Sequence, residues 1–225
     1  MRVVRGRERN PDADRDRSRE LLEWAGERRE PAVRVWRPHR QVAFGRRDRR
    51  SQGYDAAQDA AAAHGFPAVE RDVGGRAVAY TGTTLAFARF EPVEDPRDGL
   101  QERYDRVETA VGEALSAVGV DASPGEPPAA FCPGTHSLQA DGKLVGIAQR
   151  VTASAALIAG ILLVADHDEV ATVLEPVYEA LGVPFDPGTV GSVARSGGDV
   201  DRVRDELEAR LVGDDQIHVE TVRGE

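Results

Sequence analysis

The segment Phe131-Cys-Pro-Gly-Thr-His136 holds the only cysteine of the chain. A cysteine in a turn beside Pro-Gly is more exposed than one on an apolar stripe, and a thiolate is a good acyl acceptor where a neighbour favours its charge. His136 and Lys143 are the candidate neighbours of Cys132. The competing reading is a small buried hydrophobe, the commonest use of a free cysteine. Lys143 itself stands in Asp141-Gly142-Lys143-Leu144-Val145-Gly146-Ile147-Ala148 and is the one lysine among 29 basic residues, the others being arginine. Retaining lysine there suggests a position that needs a compact, rotatable ammonium rather than a planar fork, with a ligand carbonyl or phosphate oxygen as the reason; a solvated hairpin lysine is the alternative.

A third segment, Arg71-Asp-Val-Gly74-Gly75-Arg76-Ala77-Val78, places two glycines between extended runs. Glycines let the backbone approach a ligand closely and present N–H groups to oxygen, while Arg71 or Arg76 can pair with a carboxylate or phosphate. The same residues also make an ordinary turn. Neither GxxxxGK[ST] nor GxGxxG occurs, so the usual nucleotide-binding fingerprints are missing. His136 as a metal ligand lacks company: one cysteine, five scattered histidines and no CxxC pair argue against a zinc site, and no metal is expected.

These segments need a scaffold. Residues 18–25 read as a short amphipathic helix with Leu21, Leu22 and Ala25 on one side, and Gly26 ends it. Strands are expected at 32–36, 41–44, 67–71, 77–80 and 85–88, and an Ala-rich helix at 54–64. Tyr104, Val107, Val111, Leu115 and Val118 recur at helical spacing, with Gly119 closing the run. Asp141-Gly142 between two extended runs signals a hairpin, 155–164 reads as a buried central strand, and helices follow at 168–181 and 200–212. Such a mixture, with no internal repeat, gives one α+β domain. Its expected bounds are 18–213, between a polar N-terminal lead-in (1–17) and a C-terminal tail (214–225).

Composition narrows the function classes. With 225 residues the chain can bury a core without staples, and its 40% hydrophobic and 30% charged content is globular. No apolar run approaches the roughly 18 residues of a membrane span, and the charged N-terminus lacks the apolar stretch of about 7–15 residues in a secretory signal. A cytoplasmic protein without membrane association is expected. Thirty-nine acidic residues against 29 basic ones leave a net charge of −10, which argues against nucleic-acid partners. An acidic, Lys-poor, Ala/Val/Arg-rich chain of this kind looks salt-adapted, that is, halophilic.

Taken in order over roughly residues 18–212, these segments resemble the lipoate-protein ligase and octanoyltransferase family of the biotin/lipoate ligase superfamily. The matching parts are Val33-Arg-Val-Trp36, Val42-Ala-Phe-Gly45-Arg46, Val69 to Val78, and Asp141-Gly-Lys-Leu-Val-Gly-Ile-Ala-Gln149-Arg150. The resemblance implies a central mixed, largely antiparallel sheet flanked by helices. It also implies that Lys143 contacts an activated acyl carbonyl or adenylate phosphate. The acyl or adenylate site would be lined by Arg71, Gly74, Gly75, Arg76, Ala77, Gly142, Gly146 and Ala148. Phe131 to Leu138 is similar to the branch of octanoyl or lipoyl amidotransferases in which a cysteine holds the acyl group as a thioester, a role that would fall on Cys132. Two departures stand out. Ala79-Tyr80-Thr81 occupies the stretch where ligases and many transferases of the family have a histidine, which the cysteine branch also tends to lack, and Ser137 stands where relatives often have an acidic residue.

The reading that follows is an enzyme moving an octanoyl or lipoyl group onto a lysine of a lipoyl domain or a glycine-cleavage H protein. Cys132 and Lys143 would be central, the donor would be an acyl protein or free lipoate, and no cofactor would be needed. The alternative is an ATP-dependent lipoate-protein ligase using Lys143, ATP and Mg, with a separate accessory subunit. A non-catalytic acyl-binding subunit is the third possibility. Because the expected protein partners are acidic too, salt that shortens the Debye length to roughly 3 Å at 1 M should favour their encounter.

Overall fold

The computed structural model describes residues 1–71 and 75–222. The chain opens with strand β1 (Arg2–Arg5), followed by helix α1 (Pro11–Arg28). Asn10 caps α1 by accepting the Ala13 N–H at 2.8 Å, and Pro11 occupies the first turn, where its missing N–H costs nothing. Then come β2 (Ala32–Trp36), β3 (Gln41–Phe44), α2 (Tyr54–Ala63), β4 (Ala68–Glu70), β5 (Val78–Tyr80) and β6 (Leu85–Pro92). The second half runs α3 (Leu100–Ala117), β7 (Ser123–Pro124), β8 (Ser137–Gln139), β9 (Lys143–Val151), β10 (Ala155–Leu162), α4 (His167–Leu181), α5 (Val203–Val212) and β11 (His218–Thr221).

Two sheets result. The larger has the order β11-β1-β2-β6-β10-β9-β8-β7, parallel across its first two pairings and antiparallel through the rest. The smaller has the order β4-β3-β5. This is the expected α+β arrangement with a mixed, largely antiparallel central sheet. One face of the large sheet packs through Ala88, Phe90 and Leu157 against Leu21, Leu22 and Ala25 of α1. The other buries Val33, Leu85 and Ile158 against Val107, Val111 and Leu115 of α3 and Leu207 and Leu211 of α5. A third core joins the small sheet to α2 and α4 through Phe44, Phe66, Val78, Leu174 and Val177.

Several boundaries differ from the sequence reading. Residues 1–17, read as a polar lead-in, contain β1 and the first turns of α1, which begins at Pro11 and not at Ser18. The stretch 214–225, read as a tail, contains β11, whose backbone pairs with β1 from His218 to Thr221. Both strands are only four residues long, and beyond the burial of Val3 and Val4 their pairing rests on the backbone ladder and on ion pairs such as Arg2–Glu220 at 2.6 Å. The strand expected at 85–88 continues to Pro92, past Arg89 and Glu91. The helix expected from residue 200 begins at Val203. Among the described residues no helix is long and apolar enough to cross a membrane.

The charged end of β6 explains why polar residues sit in a central strand. Glu91 is buried, accepts from Arg89 at 2.5 Å and is paired with Arg106 of α3 at 2.5 Å. Burial raises the carboxyl pKa, but the two guanidinium groups outweigh it and hold Glu91 below its ordinary value. A depressed folded-state pKa contributes stability that is present above the unfolded value and lost as pH falls through the folded one. Wild-type protein should therefore lose stability below the ordinary carboxylate range in acid denaturation. Glu91→Gln should be less stable at neutral pH and show a flatter acid limb.

Candidate functional site

Cys132 lies in the loop between β7 and β8, half-buried, with a left-handed backbone (φ +42°) that costs a non-glycine residue about 1–2 kcal/mol. Two anchors hold this turn. Lys143, the first residue of β9, is fully buried, and its ammonium donates to the carbonyls of Cys132 (2.7 Å) and Phe131 (3.0 Å) and to Glu126 Oε2 (2.6 Å). Three acceptors occupy its three N–H donors, an arrangement that suits a compact, rotatable ammonium. The Cys132 N–H donates to the Tyr178 hydroxyl (2.6 Å), which in turn donates to the Ala77 carbonyl (2.9 Å). Burial is the main cause that pushes the Tyr178 phenol well above its ordinary pKa, so it stays protonated and keeps both bonds.

The sulfur itself faces different residues from those anticipated. Arg71 Nη2 donates to Cys132 Sγ at 3.2 Å and the Arg76 N–H donates at 3.3 Å. The guanidinium is fixed by a second bond, to the Arg76 carbonyl at 2.5 Å. Burial works against the Arg71 charge, but the nearby Cys132 sulfur and Tyr80 more than offset it, and its pKa rises. A permanent cation and a backbone donor thus converge on the thiol, the surroundings that suit a thiolate nucleophile. Of the two neighbours expected from sequence, Lys143 bonds the Cys132 carbonyl instead of the sulfur, and the His136 Nδ1 is paired with Glu108 at 2.5 Å.

The glycine loop is present for the reason its residues suggest, close approach. Gly75 has φ +100°, and a Cβ there would lie 2.5 Å from Cys132 Sγ and 2.6 Å from Arg71 Nη2. Gly74 lies outside the described residues. Arg76 contributes its backbone to the sulfur and its side chain to buried Asp48 (3.2 Å). Ala77 is buried and takes part through its carbonyl. Gly142 serves the hairpin: at φ +110° its added Cβ would meet the Thr189 carbonyl at 2.7 Å, away from any ligand space.

Cys132 opens onto a cavity of about 420 Å³. Arg71, Gly75, Gly146 and Ala148 line it with Cys132, whereas Lys143, Arg76, Ala77 and Gly142 do not. Its floor is the α1 face of the large sheet. Ala88, Ala159 and Ala148 stand in one register row of β6, β10 and β9, and Ala86, Ile161 and Gly146 in the next. Five of these six residues are Ala or Gly and leave room that larger side chains would fill, and Leu22, Val78, Leu157 and Ile161 add apolar walls. Among the described residues no three His, Cys, Asp or Glu side chains are grouped as metal ligands.

Sequence reasoning missed Glu126. It lies in the Ser123 to Pro128 loop and gathers the Lys143 ammonium, the Ser137 hydroxyl (2.9 Å) and the Gly134 N–H (3.0 Å). It thereby supplies a carboxylate beside Ser137. Such a long-range pairing has no local signature.

The close approach at Gly75 yields a direct test. Gly75→Ala should displace the sulfur or Arg71 and adds a strained positive φ. Alkylation of Cys132 by iodoacetamide, followed by mass, should slow by about 10-fold or more, while Gly65→Ala, a positive-φ glycine with open space around it, should leave the rate unchanged.

Comparison with known proteins agrees with this architecture. The family described as the lipoyl protein ligase A/B catalytic domain matches residues 13–197. An octanoyl-[GcvH]:protein N-octanoyltransferase from Exiguobacterium sibiricum is 32% identical over 123 residues, 53% of this chain and 44% of the relative. The match therefore spans less than half the length of that curated relative. Among solved structures, a lipoate-protein ligase A bound with ATP superposes with a TM-score of 0.77 at 21% identity, covering 99% of this chain and 89% of the other. The bi-partite lipoate protein ligase of Thermoplasma acidophilum gives 0.71 at 19% identity, covering 99% and 87%. At these identities the structures establish a shared fold. The family match covers most of the chain, and the protein belongs to the lipoyl protein ligase A/B catalytic domain family.

Proposed function

We propose that this protein is an acyltransferase of protein lipoylation that carries an octanoyl or lipoyl group as a thioester on Cys132 and passes it to a lysine of a lipoyl domain or a glycine-cleavage H protein. The observation that carries the reading is the placement of Cys132 Sγ at an apolar cavity, between the Arg71 guanidinium and the Arg76 N–H. The named activity of the Exiguobacterium relative supports the octanoyl group and the H protein.

In this reading the cavity takes the acyl chain and leaves its carbonyl at the sulfur. The Cys132 thiolate attacks that carbonyl, forming the S–C bond as the donor group departs. Negative charge moves from sulfur to the carbonyl oxygen as the bond forms, and the Arg71 guanidinium, already at hydrogen-bond distance from the sulfur, stabilises it there. The acceptor lysine then attacks the thioester carbon, the C–S bond breaks, and Arg71 receives the thiolate again. Lys143 acts through the turn: with its three donors engaged, it positions Cys132. Thioester chemistry of this kind consumes no ATP. A cytoplasmic, high-salt setting belongs to the same reading, supported by the −10 net charge and the single lysine.

Intact mass after incubation with an octanoyl donor tests the reading. An adduct on wild-type protein, labile to hydroxylamine, formed without ATP and absent in Cys132→Ala, is the expected result. ATP-dependent modification of a lipoyl domain that survives Cys132→Ala would instead establish a ligase. Filling the cavity floor gives a second test. Ala159→Leu should slow octanoyl loading by about 10-fold or more while leaving acetyl loading from the matched donor within about twofold.

A further inference from the structure

His136 is the chemically capable side chain that the site described above leaves unused. It lines the same cavity as Cys132, four residues along the loop. Its ring is held in two ways. Nδ1 is paired with Glu108 Oε1 of α3 at 2.5 Å, and the imidazole lies flat on the Tyr104 ring, with centroids 3.5 Å apart and planes 5° from parallel. Both partners are mostly shielded, with 19% and 21% of the His136 and Glu108 side chains exposed, so the pair is not a loose surface contact. Nε2 has no partner among the described residues. A carboxylate on one nitrogen, a ring clamp and an unpartnered second nitrogen, on a residue that lines the cavity, suit an imidazole to proton transfer.

The chemistry at Cys132 requires such a group. Expelling a lysyl nitrogen from an amide donor needs a proton on that nitrogen, and attack by an entering lysine amine releases one. The other candidates around the sulfur are committed. Arg71 is held protonated, burial above all raises the Tyr80 phenol beside it so that it too stays protonated, and Lys143 spends its three N–H donors on Glu126 and two carbonyls. Tyr178 is likewise held protonated and bonded. The two carboxylates on the cavity wall, Asp14 and Glu70, are paired with Arg34 and Arg49.

We propose that His136, oriented by Glu108 and Tyr104, is the proton-transfer residue of this site; the proposal rests on the thioester reading. In loading from an amide donor, the S–C bond forms, the C–N bond breaks, and the proton on Nε2 goes to the departing lysyl nitrogen. In unloading, the N–C bond forms, the C–S bond breaks with its electron pair returning to sulfur, and Nε2 takes the proton from the attacking nitrogen. The two half-reactions restore the ring to its starting state.

The leaving group separates this role from a structural one. A thiolate leaves a thioester donor without protonation, whereas a lysyl amine does not leave an amide so. Loading of Cys132 is therefore followed by intact mass with an octanoyl thioester of a small thiol and with octanoylated glycine-cleavage H protein, for wild type, His136→Gln and Glu108→Gln. The expected result is thioester loading within about twofold of wild type in both variants. Amide loading should fall by at least about 100-fold in His136→Gln and by a smaller factor in Glu108→Gln. Amide loading by His136→Gln within about threefold of wild type would overturn the proposal, as would an equal loss with both donors, which would mean that the ring only shapes the loop. Wild-type loading from the thioester but not from the amide would also overturn it, with the thioester reading left standing. Wild-type loading from neither donor would sink that reading and this role together.

Discussion

The buried ammonium of Lys143 is the interaction on which the site depends. Taking a cation out of water costs several kcal/mol unless charge and hydrogen bonds replace the lost solvation. Here Glu126 supplies the charge and the Phe131 and Cys132 carbonyls supply the remaining bonds, all within 3.0 Å. The exchange works in both directions. The ammonium is tolerable only because the turn offers its carbonyls, and the turn persists with Cys132 at a left-handed φ only because the ammonium and Tyr178 hold it on both sides. The first residue of a strand thus determines the conformation of a loop that precedes it.

A second constraint acts from the opposite side of the sulfur. Cys132 Sγ, Gly75 and the Arg71 guanidinium approach so closely that no Cβ fits between them. Gly45 repeats the relation one layer out, since a Cβ there would lie 2.0 Å from the Gly75 carbonyl. The glycines of the loop are therefore spatial requirements, and they bring the small sheet against the loop carried by the large one. Tyr178 of α4 ties the two together by bonding the Cys132 N–H and the Ala77 carbonyl at once.

What was legible in the sequence was whatever depends on short spacing. The apolar period of α3, the Asp141-Gly142 hairpin between β8 and β9, and the aliphatic run of β10 all follow from neighbours a few residues apart. The start of α1 was legible as well, since Asn10-Pro11 is a cap followed by a first-turn proline, but the charged surroundings of the segment obscured it. By contrast, β1 and β11 carry little pattern of their own and exist because each completes the other's ladder across more than 200 residues of chain. Cys132, Lys143 and the glycine loop were visible by residue type, but their connections were not. The bonds from Arg71 to the sulfur and from Glu126 to Lys143 are set by tertiary folding, and each partner reads locally as an ordinary loop residue.

The cavity floor shows how packing and chemistry compete within one sheet. On its α3 face the large sheet carries Leu85, Phe87, Val145 and Ile158, all buried in the core. On the α1 face the same strands turn to Ala86, Ala88, Ala148, Ala159 and Gly146 where the cavity lies, and return to Phe90 and Leu157 toward the residues of α1. Side chains alternate strictly between the two faces of a strand, so each face can be set independently, and the strands need not change direction to create space. The stability that larger side chains would add on the cavity face is forgone in just those rows. The room so left opens onto the one nucleophile that the turn, the ammonium and the glycine loop combine to hold in place.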